Sequence, residues 1–198
     1  MNDIDNFEKV IDSIYGVYLD STLGFRRVIE WVEKNQLKHI EILKVTNPNK
    51  ANINYLDGKA FIFGKGNPNI PSSVVLHKTT QKELKYRNKK DGINFKFIGN
   101  LATVSLYQYW EDCYRNKIAQ LFHKNKNEIT APIMGDIRLL RRSIIHHQGI
   151  ALKEIESCKV LKWFFEGDEI FIDKEKFYEI IYHIKIFITL LKSDIVKI

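Results

Sequence analysis

The sequence predicts a mainly α protein, a helical bundle of about five helices with a basic, partly β insertion after the first helix. Apolar residues recur at helical spacing over long stretches on both sides of residues 45–99. Within 45–99 lie three of the four prolines and several short apolar runs separated by turn residues. The 198 residues are 44% hydrophobic, which suits one globular domain. We therefore predict a single domain over residues 1–198, with the insertion at 45–99.

The first predicted helix covers residues 4–37. Apolar side chains follow helical spacing from Phe7 to Tyr18 and again from Phe25 to Val32, with Gly24 as a candidate break. In the insertion that follows, three short apolar runs predict strands, and their sequences are KAFIFG, SSVVLH and NFKFIG.

The helical period returns at Asn100. An apolar stripe predicts a second helix to about residue 124. Pro132 suits the first turn of a third helix that ends at about His147 or Gln148. Gly149 is a stop signal. We predict a fourth helix over 150–165 and a fifth from Lys174 to about Lys192.

Cysteine content and the distribution of apolar residues exclude two classes of protein. Cys113 and Cys158 are the only cysteines, too few for a disulfide scaffold, and we expect both to be buried and reduced. The N-terminal residues MNDIDNFEK lack the pattern of a secretory signal, and the most apolar run, Ile180–Leu191, is too short to span a bilayer. The expectation is a cytoplasmic protein with no membrane partner.

The positive charge is concentrated in one internal segment. Residues 34–96 contain 13 Lys and Arg against 4 Asp and Glu, a net charge of +9, whereas the remaining residues have a net charge of −2. A localised basic patch is typical of proteins that bind a polyanion, most often nucleic acid. The alternative is a lysine-rich insertion that is merely solvated.

Short motifs for nucleotide, hydrolase and metal sites are absent from the sequence. It contains no GxxxxGK[ST], GxGxxG, GxSxG, HExxH or paired CxxC. The adjacent histidines His146 and His147 would point about 100° apart on a helix, so they cannot chelate one ion without other ligands. We predict no metal and no cofactor.

One predicted helix carries a concentration of phosphate-binding and proton-transferring side chains. Arg138, Arg142 and His146 fall on one stripe of this helix, and Arg141 lies between that stripe and the apolar one. Arginine matches phosphate oxygens, and histidine titrates near neutrality. Arg141 and His146 are five positions apart, about 140° around an ideal helix, so geometry alone does not make them converge. The alternative is a solvated helix face with a basic rim.

Apolar residues on further sides of the same helix predict a second interface. Met134, Leu139 and Ile145 all lie away from the main apolar stripe. A helix that is apolar on more than one side is buried on more than one side. We therefore expect a homodimer over this helix.

The stretch DIRLLRRSIIHHQGIA, preceded by LYQYWEDCYRNKIA, resembles the HEPN superfamily. These small helical bundles occur in prokaryotic toxins and in abortive-infection and CRISPR-linked effectors, and their signature is Arg-x4–6-His. The resemblance covers roughly residues 100–165, and more loosely the first and last helices. It implies a metal-independent endoribonuclease that dimerises to build a composite site, in a toxin or anti-phage defence setting with an antitoxin as a candidate partner.

On this resemblance, Arg141 takes the position of the family arginine and His146 that of the histidine. Arg142 stands where asparagine is common, and Arg142 with His147 satisfies the spacing in an alternative register. Arg138 is a supporting residue. A second half-motif begins at Arg115 but has glutamine where a histidine is needed, which predicts a structural role or a supporting RNA contact.

The implied mechanism is attack of the RNA 2′-OH on phosphorus, giving a 2′,3′-cyclic phosphate, with a histidine moving the proton and an arginine stabilising the phosphoryl charge. The basic segment would bind the RNA backbone, and the candidate contacts are Lys38, Lys65, Lys78, Lys82, Lys85, Arg87, Lys89 and Lys90. The alternative is a non-catalytic HEPN-like module for RNA binding, protein interaction or dimerisation.

Overall fold

The computed structural model describes residues 2–67, 70 and 72–195. The chain is mainly α-helical with one two-stranded sheet, which confirms the predicted fold class. It divides into two compact units. Unit 1 comprises Met1–Ser21 and Lys96–Ile198, and unit 2 comprises Thr22–Phe95. The segment 45–99 therefore falls mostly in unit 2, which also contains the second half of the first helix.

The first helix is longer than predicted. Helix α1 spans Asn2–Thr46, beyond the predicted 4–37 at both ends. It continues through Gly24, so the candidate break does not occur. A glycine inside a helix costs only about 1 kcal/mol relative to alanine, which a helix of this length tolerates.

Unit 2 contains the sheet. After helix α2 (Ile53–Asp57), strand β1 (Ala60–Lys65) pairs antiparallel with β2 (Val74–Thr80), and helix α3 (Gln81–Arg87) follows directly. The strands predicted at KAFIFG and SSVVLH are confirmed, with a bulge after Phe63. The strand predicted at NFKFIG is wrong, because these residues lie in the first turns of the next helix.

A buried polar network stabilises unit 2. The Gln36 side chain is buried and donates to Asp57 over 2.7 Å and to the Gln81 side chain over 2.9 Å. The Lys85 ammonium lies 2.7 Å from the Asp57 carboxylate. Burial would raise the pKa of Asp57, but hydrogen bonds from Lys85 and Gln36 bring it below its ordinary value. Since each polar group has a partner, the network fixes α1 against α2 and α3 within this unit.

Unit 1 is a helical bundle. Helix α4 (Ile93–Gln108) continues through a π-helical turn (Tyr109–Tyr114) into α5 (Arg115–Leu121), and α6 (Pro132–His146) and α7 (Lys174–Ile195) complete it. Aromatic rings form the centre of its core. The Phe7 and Trp110 rings lie 5.5 Å apart, and Trp110 meets Phe187 edge-on at 5.4 Å. These contacts join the start of α1, the π-helical turn and α7.

The fourth helix predicted over 150–165 is wrong. This segment contains only a short 3-10 turn, Lys153–Ser157. The backbone N–H groups of Lys159, Val160 and Leu161 donate to the buried carboxylate of Asp136 over 2.9, 2.6 and 2.8 Å. Because those donors bind a side chain, they are not available for the i→i−4 bonds of a helix.

The two cysteines differ in their surroundings. Cys158 is buried as predicted, and this burial raises the pKa of its thiol to about 12. Cys113 is exposed, so the prediction for it is wrong; it lies on the outer side of the π-helical turn. Within the described part of the chain, none of the helices has a long enough apolar stretch to cross a membrane.

Candidate functional site

Helix α6 presents the arginines and histidines that the sequence singled out. Its apolar stripe is buried as predicted, at Ile133, Ile137 and Leu140. The helix begins at Pro132 as predicted and ends at His146. The opposite stripe, containing Arg138, Arg142 and His146, is exposed.

The turn after α6 redirects the chain sharply. Gln148 and Gly149 both have positive φ, 54° and 81°, and the Gly149 N–H donates to the Ser143 carbonyl over 3.1 Å. Glycine adopts this conformation without strain, which explains the stop signal at residue 149. The buried Ser143 hydroxyl accepts from the Leu152 N–H over 3.2 Å. The exposed histidines therefore lie at a helix end that two hydrogen bonds close.

Arg141 is half-buried against an aromatic ring. Its guanidinium carbon lies 5.8 Å from the centre of the Tyr107 ring. Its Nε is buried and has no hydrogen-bond partner among the described residues. Burial, followed by the Glu111 carboxylate, raises the pKa of the Tyr107 hydroxyl above its ordinary value. The ring therefore positions the Arg141 guanidinium at the edge of the core.

Arg142 has a partner of its own chain. Its guanidinium lies 3.1 Å from the Glu154 carboxylate, and both side chains are about half exposed, at 55% and 49%. An ion pair this exposed contributes little stability and opens readily. Arg138, in contrast, has no ion pair among the described residues and is exposed.

Among the described residues, no hydrogen bond or ion pair joins the histidines to the arginines of α6. His146 is exposed, and so is His147, whose backbone leaves the helix at φ −127°. Arg141 and His146 differ by about 140° around the helix and by about 7.5 Å along it. Among the described residues, neither Arg141 with His146 nor Arg142 with His147 forms a hydrogen bond. Within one chain, these arginines and histidines therefore lie on the same helix end but do not form a joint site.

A cavity of about 530 Å³ opens beside the arginine face of α6. The π-helical turn, the loop before α6 and the segment around Lys159 form its walls. Three cationic side chains line it, together with the ring of Tyr107, and these cations are Arg115, Arg138 and Lys159. Two acidic residues, Glu111 and Asp136, also line it, so the cavity has a polar wall with charges of both signs.

Arg115, the arginine of the second half-motif, is engaged within its own unit. It donates to Glu111 over 3.0 Å and to the Ile129 carbonyl over 3.3 Å. Lys126 also contacts Glu111, at 2.8 Å. Burial would raise the pKa of Glu111, but the hydrogen bonds from Lys126 and Arg115 lower it, so the carboxylate stays charged. These contacts connect α5 to the loop before α6.

The apolar residues that suggested a dimer have different surroundings. Met134 is 3% exposed and packs in the core of unit 1, and Leu139 is half-buried. Ile145 is 51% exposed. Of these three apolar side chains, only Ile145 is exposed, and it lies at the C-terminal end of α6 beside His146.

In unit 2, the predicted RNA-binding residues fall into two groups. The Lys85 side chain is only 14% exposed, and its ammonium group contacts Asp57 and Gln36. Arg87 is half-buried beside His77 and Phe63. The other candidates have exposed side chains, and they are Lys38, Lys65, Lys78, Lys82, Lys89 and Lys90.

Sequence reasoning missed the contributions of Tyr107, Asp136 and Lys159. Tyr107 falls on the apolar stripe of the second predicted helix, and nothing in the sequence pairs it with Arg141. In residues 2–67, 70 and 72–195, histidine, cysteine and carboxylate side chains form no group of three that could hold a metal ion.

No protein-family model, curated protein sequence or solved structure matches this chain at a significant level of similarity.

Proposed function

We propose that this protein is a metal-independent endoribonuclease of the HEPN type. The observation that supports it best is the end of α6, where three arginines and two exposed histidines lie within ten residues. The resemblance of residues 100–165 to HEPN bundles gives these groups their roles. The same resemblance supports a toxin or anti-phage setting, and a homodimer or an antitoxin as partner.

In the proposed reaction, an imidazole of His146 removes the proton from the RNA 2′-OH. The 2′ oxygen bonds to phosphorus, the bond from phosphorus to the 5′ oxygen breaks, and that oxygen takes a proton from imidazolium or water. Arg141 stabilises the negative charge on the phosphoryl oxygens. The products are a 2′,3′-cyclic phosphate and a 5′-OH.

The separation of Arg141 from His146 favours a site completed by a second copy. A half-buried arginine fixed on Tyr107 is well positioned to bind phosphate but not to contact its own histidine. If two copies meet over the C-terminal end of α6, Arg141 of one can lie near His146 of the other. The exposed Ile145 beside that end supports such a contact.

A non-catalytic HEPN-like RNA-binding or interaction module is the second candidate function. The observation that favours it is Arg142, which occupies the usual asparagine position and pairs with Glu154. In this case the arginines bind phosphate and no bond is cut. The two candidates therefore differ in turnover and not in RNA affinity.

Cleavage of a labelled single-stranded RNA in EDTA tests the proposal. We expect the wild type to cut, and both Arg141→Lys and His146→Ala to lose at least about 100-fold in rate, the lower range for a general acid–base group. Two variants serve as matched controls that should keep the wild-type rate. Arg27→Ala removes another surface arginine paired with glutamate, and His123→Asn removes another exposed histidine.

Two outcomes separate the alternatives. Loss of cutting only in Arg142→Ala or His147→Ala would move the site to the other register and keep the chemistry. Salt-sensitive RNA binding with no cutting by any variant or by the wild type would contradict the enzyme and favour the binding module.

A further inference from the structure

A row of aromatic rings crosses one face of the sheet in unit 2. The rings of Trp31 and Phe61 lie 5.8 Å apart, those of Phe61 and Phe63 5.0 Å apart, and those of Phe63 and His77 5.9 Å apart. Trp31 is 54% exposed and Phe63 41% exposed, and His77 is also exposed. A contiguous patch of exposed rings of this kind often marks a binding site.

The register of the sheet explains why the rings share a face. Side chains alternate along a strand, so Phe61 and Phe63 point to the same side of β1. His77 lies directly opposite Phe63 in the ladder. The planes of these two rings differ by 36°, whereas the pairs Trp31–Phe61 and Phe61–Phe63 meet edge-on at 89° and 66°. The row therefore offers both ring faces and ring edges.

Positive charge adjoins this row. The guanidinium carbon of Arg87 lies 5.8 Å from the centre of the Phe63 ring, and the same group donates to Nε2 of His77 over 3.1 Å. Lys65 ends the same strand two residues after Phe63, just past the bulge, and is exposed. A ligand that lies on the rings therefore meets cations at its edge.

Most acidic side chains of the basic segment, residues 34–96, already have partners within unit 2. Glu41 lies 2.7 Å from Lys44, and Asp57 lies 2.7 Å from Lys85. Glu83 accepts from the Thr80 N–H in the capping box of α3. Three of the four carboxylates in residues 34–96 thus have partners within unit 2. A polyanion at this surface meets little repulsion.

We infer that this aromatic row is a stacking platform for the bases of single-stranded RNA, with Arg87 and Lys65 contacting the flanking phosphates. Every base has a π face, so stacking on Phe63, His77 and Trp31 binds any sequence whose bases are unpaired. An apolar protein partner would gain nothing from the cations, whereas RNA uses both the rings and the charge. The inference rests on the proposed function in taking RNA as the ligand.

Binding of two fluorescein-labelled oligomers tests the platform. The first is a 2′-O-methyl RNA of about ten nucleotides, which resists attack through the 2′ oxygen, and the second has the same phosphates but abasic sites. We expect the wild type to bind the oligomer with bases about ten-fold more tightly. Phe63→Leu keeps an apolar side chain without a π face, and it should weaken binding of that oligomer about 5- to 50-fold.

Binding of the abasic oligomer should not change in Phe63→Leu. Trp31→Leu, on α1, should behave in the same way, which keeps the test valid if one variant folds poorly. The matched control is Phe97→Leu, which removes another exposed phenylalanine, 66% exposed and in unit 1, and should leave both affinities unchanged.

Equal wild-type affinity for the two oligomers would overturn the platform, as would equal weakening of both by Phe63→Leu. Neither result affects the ribonuclease proposal if the wild type still cuts RNA in EDTA. Conversely, base-dependent binding that is lost in Phe63→Leu supports the platform even if no RNA is cut. The two proposals therefore fail separately.

Discussion

Asp136 is a buried carboxylate that organises the segment following α6. It is 2% exposed, and its carboxylate accepts three backbone N–H groups from residues 159–161. No cation pairs with it among the described residues; backbone dipoles solvate its charge. Because Lys159 lines the cavity beside Arg138, Asp136 also fixes one wall of that cavity.

Removal of this carboxylate should destabilise unit 1. Asp136→Ala leaves three N–H groups without a partner, two of them in a partly buried setting, so we expect a loss of about 3 kcal/mol or more in the free energy of unfolding. Urea denaturation monitored by circular dichroism measures it. Asp20→Ala, at an exposed position of α1, is the control and should change stability by less than about 0.5 kcal/mol. An equal, small effect in both variants would contradict the role assigned to Asp136.

Single residues show what sequence alone could and could not predict. The exposure of Arg138, Arg142 and His146 on one stripe follows from helical period. The pairing of Lys85 with Asp57 does not, because it depends on a contact between residues far apart in sequence. In the sequence, nothing distinguishes the paired Lys85 from the exposed Lys82 nearby.

At the scale of elements, α4 packs closely against the extended segment before α7. Asn100 donates to the Ile170 carbonyl over 3.0 Å and accepts from the Ile172 N–H over 3.3 Å. One residue earlier, a Cβ on Gly99 would collide with the Ile172 carbonyl oxygen. The glycine therefore permits a helix and an extended backbone to lie side by side.

Two glycine substitutions should have opposite effects on stability. Gly99→Ala forces this backbone contact apart, so we expect a loss of about 1–3 kcal/mol in the free energy of unfolding. Gly24→Ala, in α1, meets nothing within 4 Å and should stabilise the protein by about 0.5–1 kcal/mol. Thermal denaturation of both variants checks the pair. Equal changes in the two would show that Gly99 is not needed for packing.

Periodicity predicted the elements where one helix face is buried by packing. Helices α6 and α7 follow their predicted ranges closely for this reason. The predicted strand at NFKFIG and the predicted helix at 150–165 are wrong because tertiary contacts decide both. Gly99 and Asn100 meet the segment 170–172, and Asp136 takes the N–H groups of 159–161.

At the scale of the whole molecule, the two units differ in character. Unit 1 contains the α6 arginines and histidines on an apolar helical core. Unit 2 contains most of the basic segment and the aromatic row. The positive charge of unit 2 could be predicted from the sequence. The aromatic row could not, because it joins α1 to both strands through contacts that no local pattern encodes.

In unit 1, the sequence predicted the separation of Arg141 from His146 but not the contact that Arg141 makes. The spacing of Arg141 and His146 indicated an angle of about 140°, and the structure leaves them apart at a regular helix end. What the sequence could not supply was Tyr107, which fixes Arg141 and makes its position independent of the histidine.

The most direct test of the ribonuclease proposal is a DNA oligomer that contains one ribonucleotide, incubated with the wild type in EDTA. The mechanism needs a 2′-OH, so it predicts a single cut directly 3′ of that ribose. Mass spectrometry should find a 2′,3′-cyclic phosphate on one product and a 5′-OH on the other. Cutting of an all-DNA oligomer, cutting only with added metal, or cutting with other product ends would contradict the proposal.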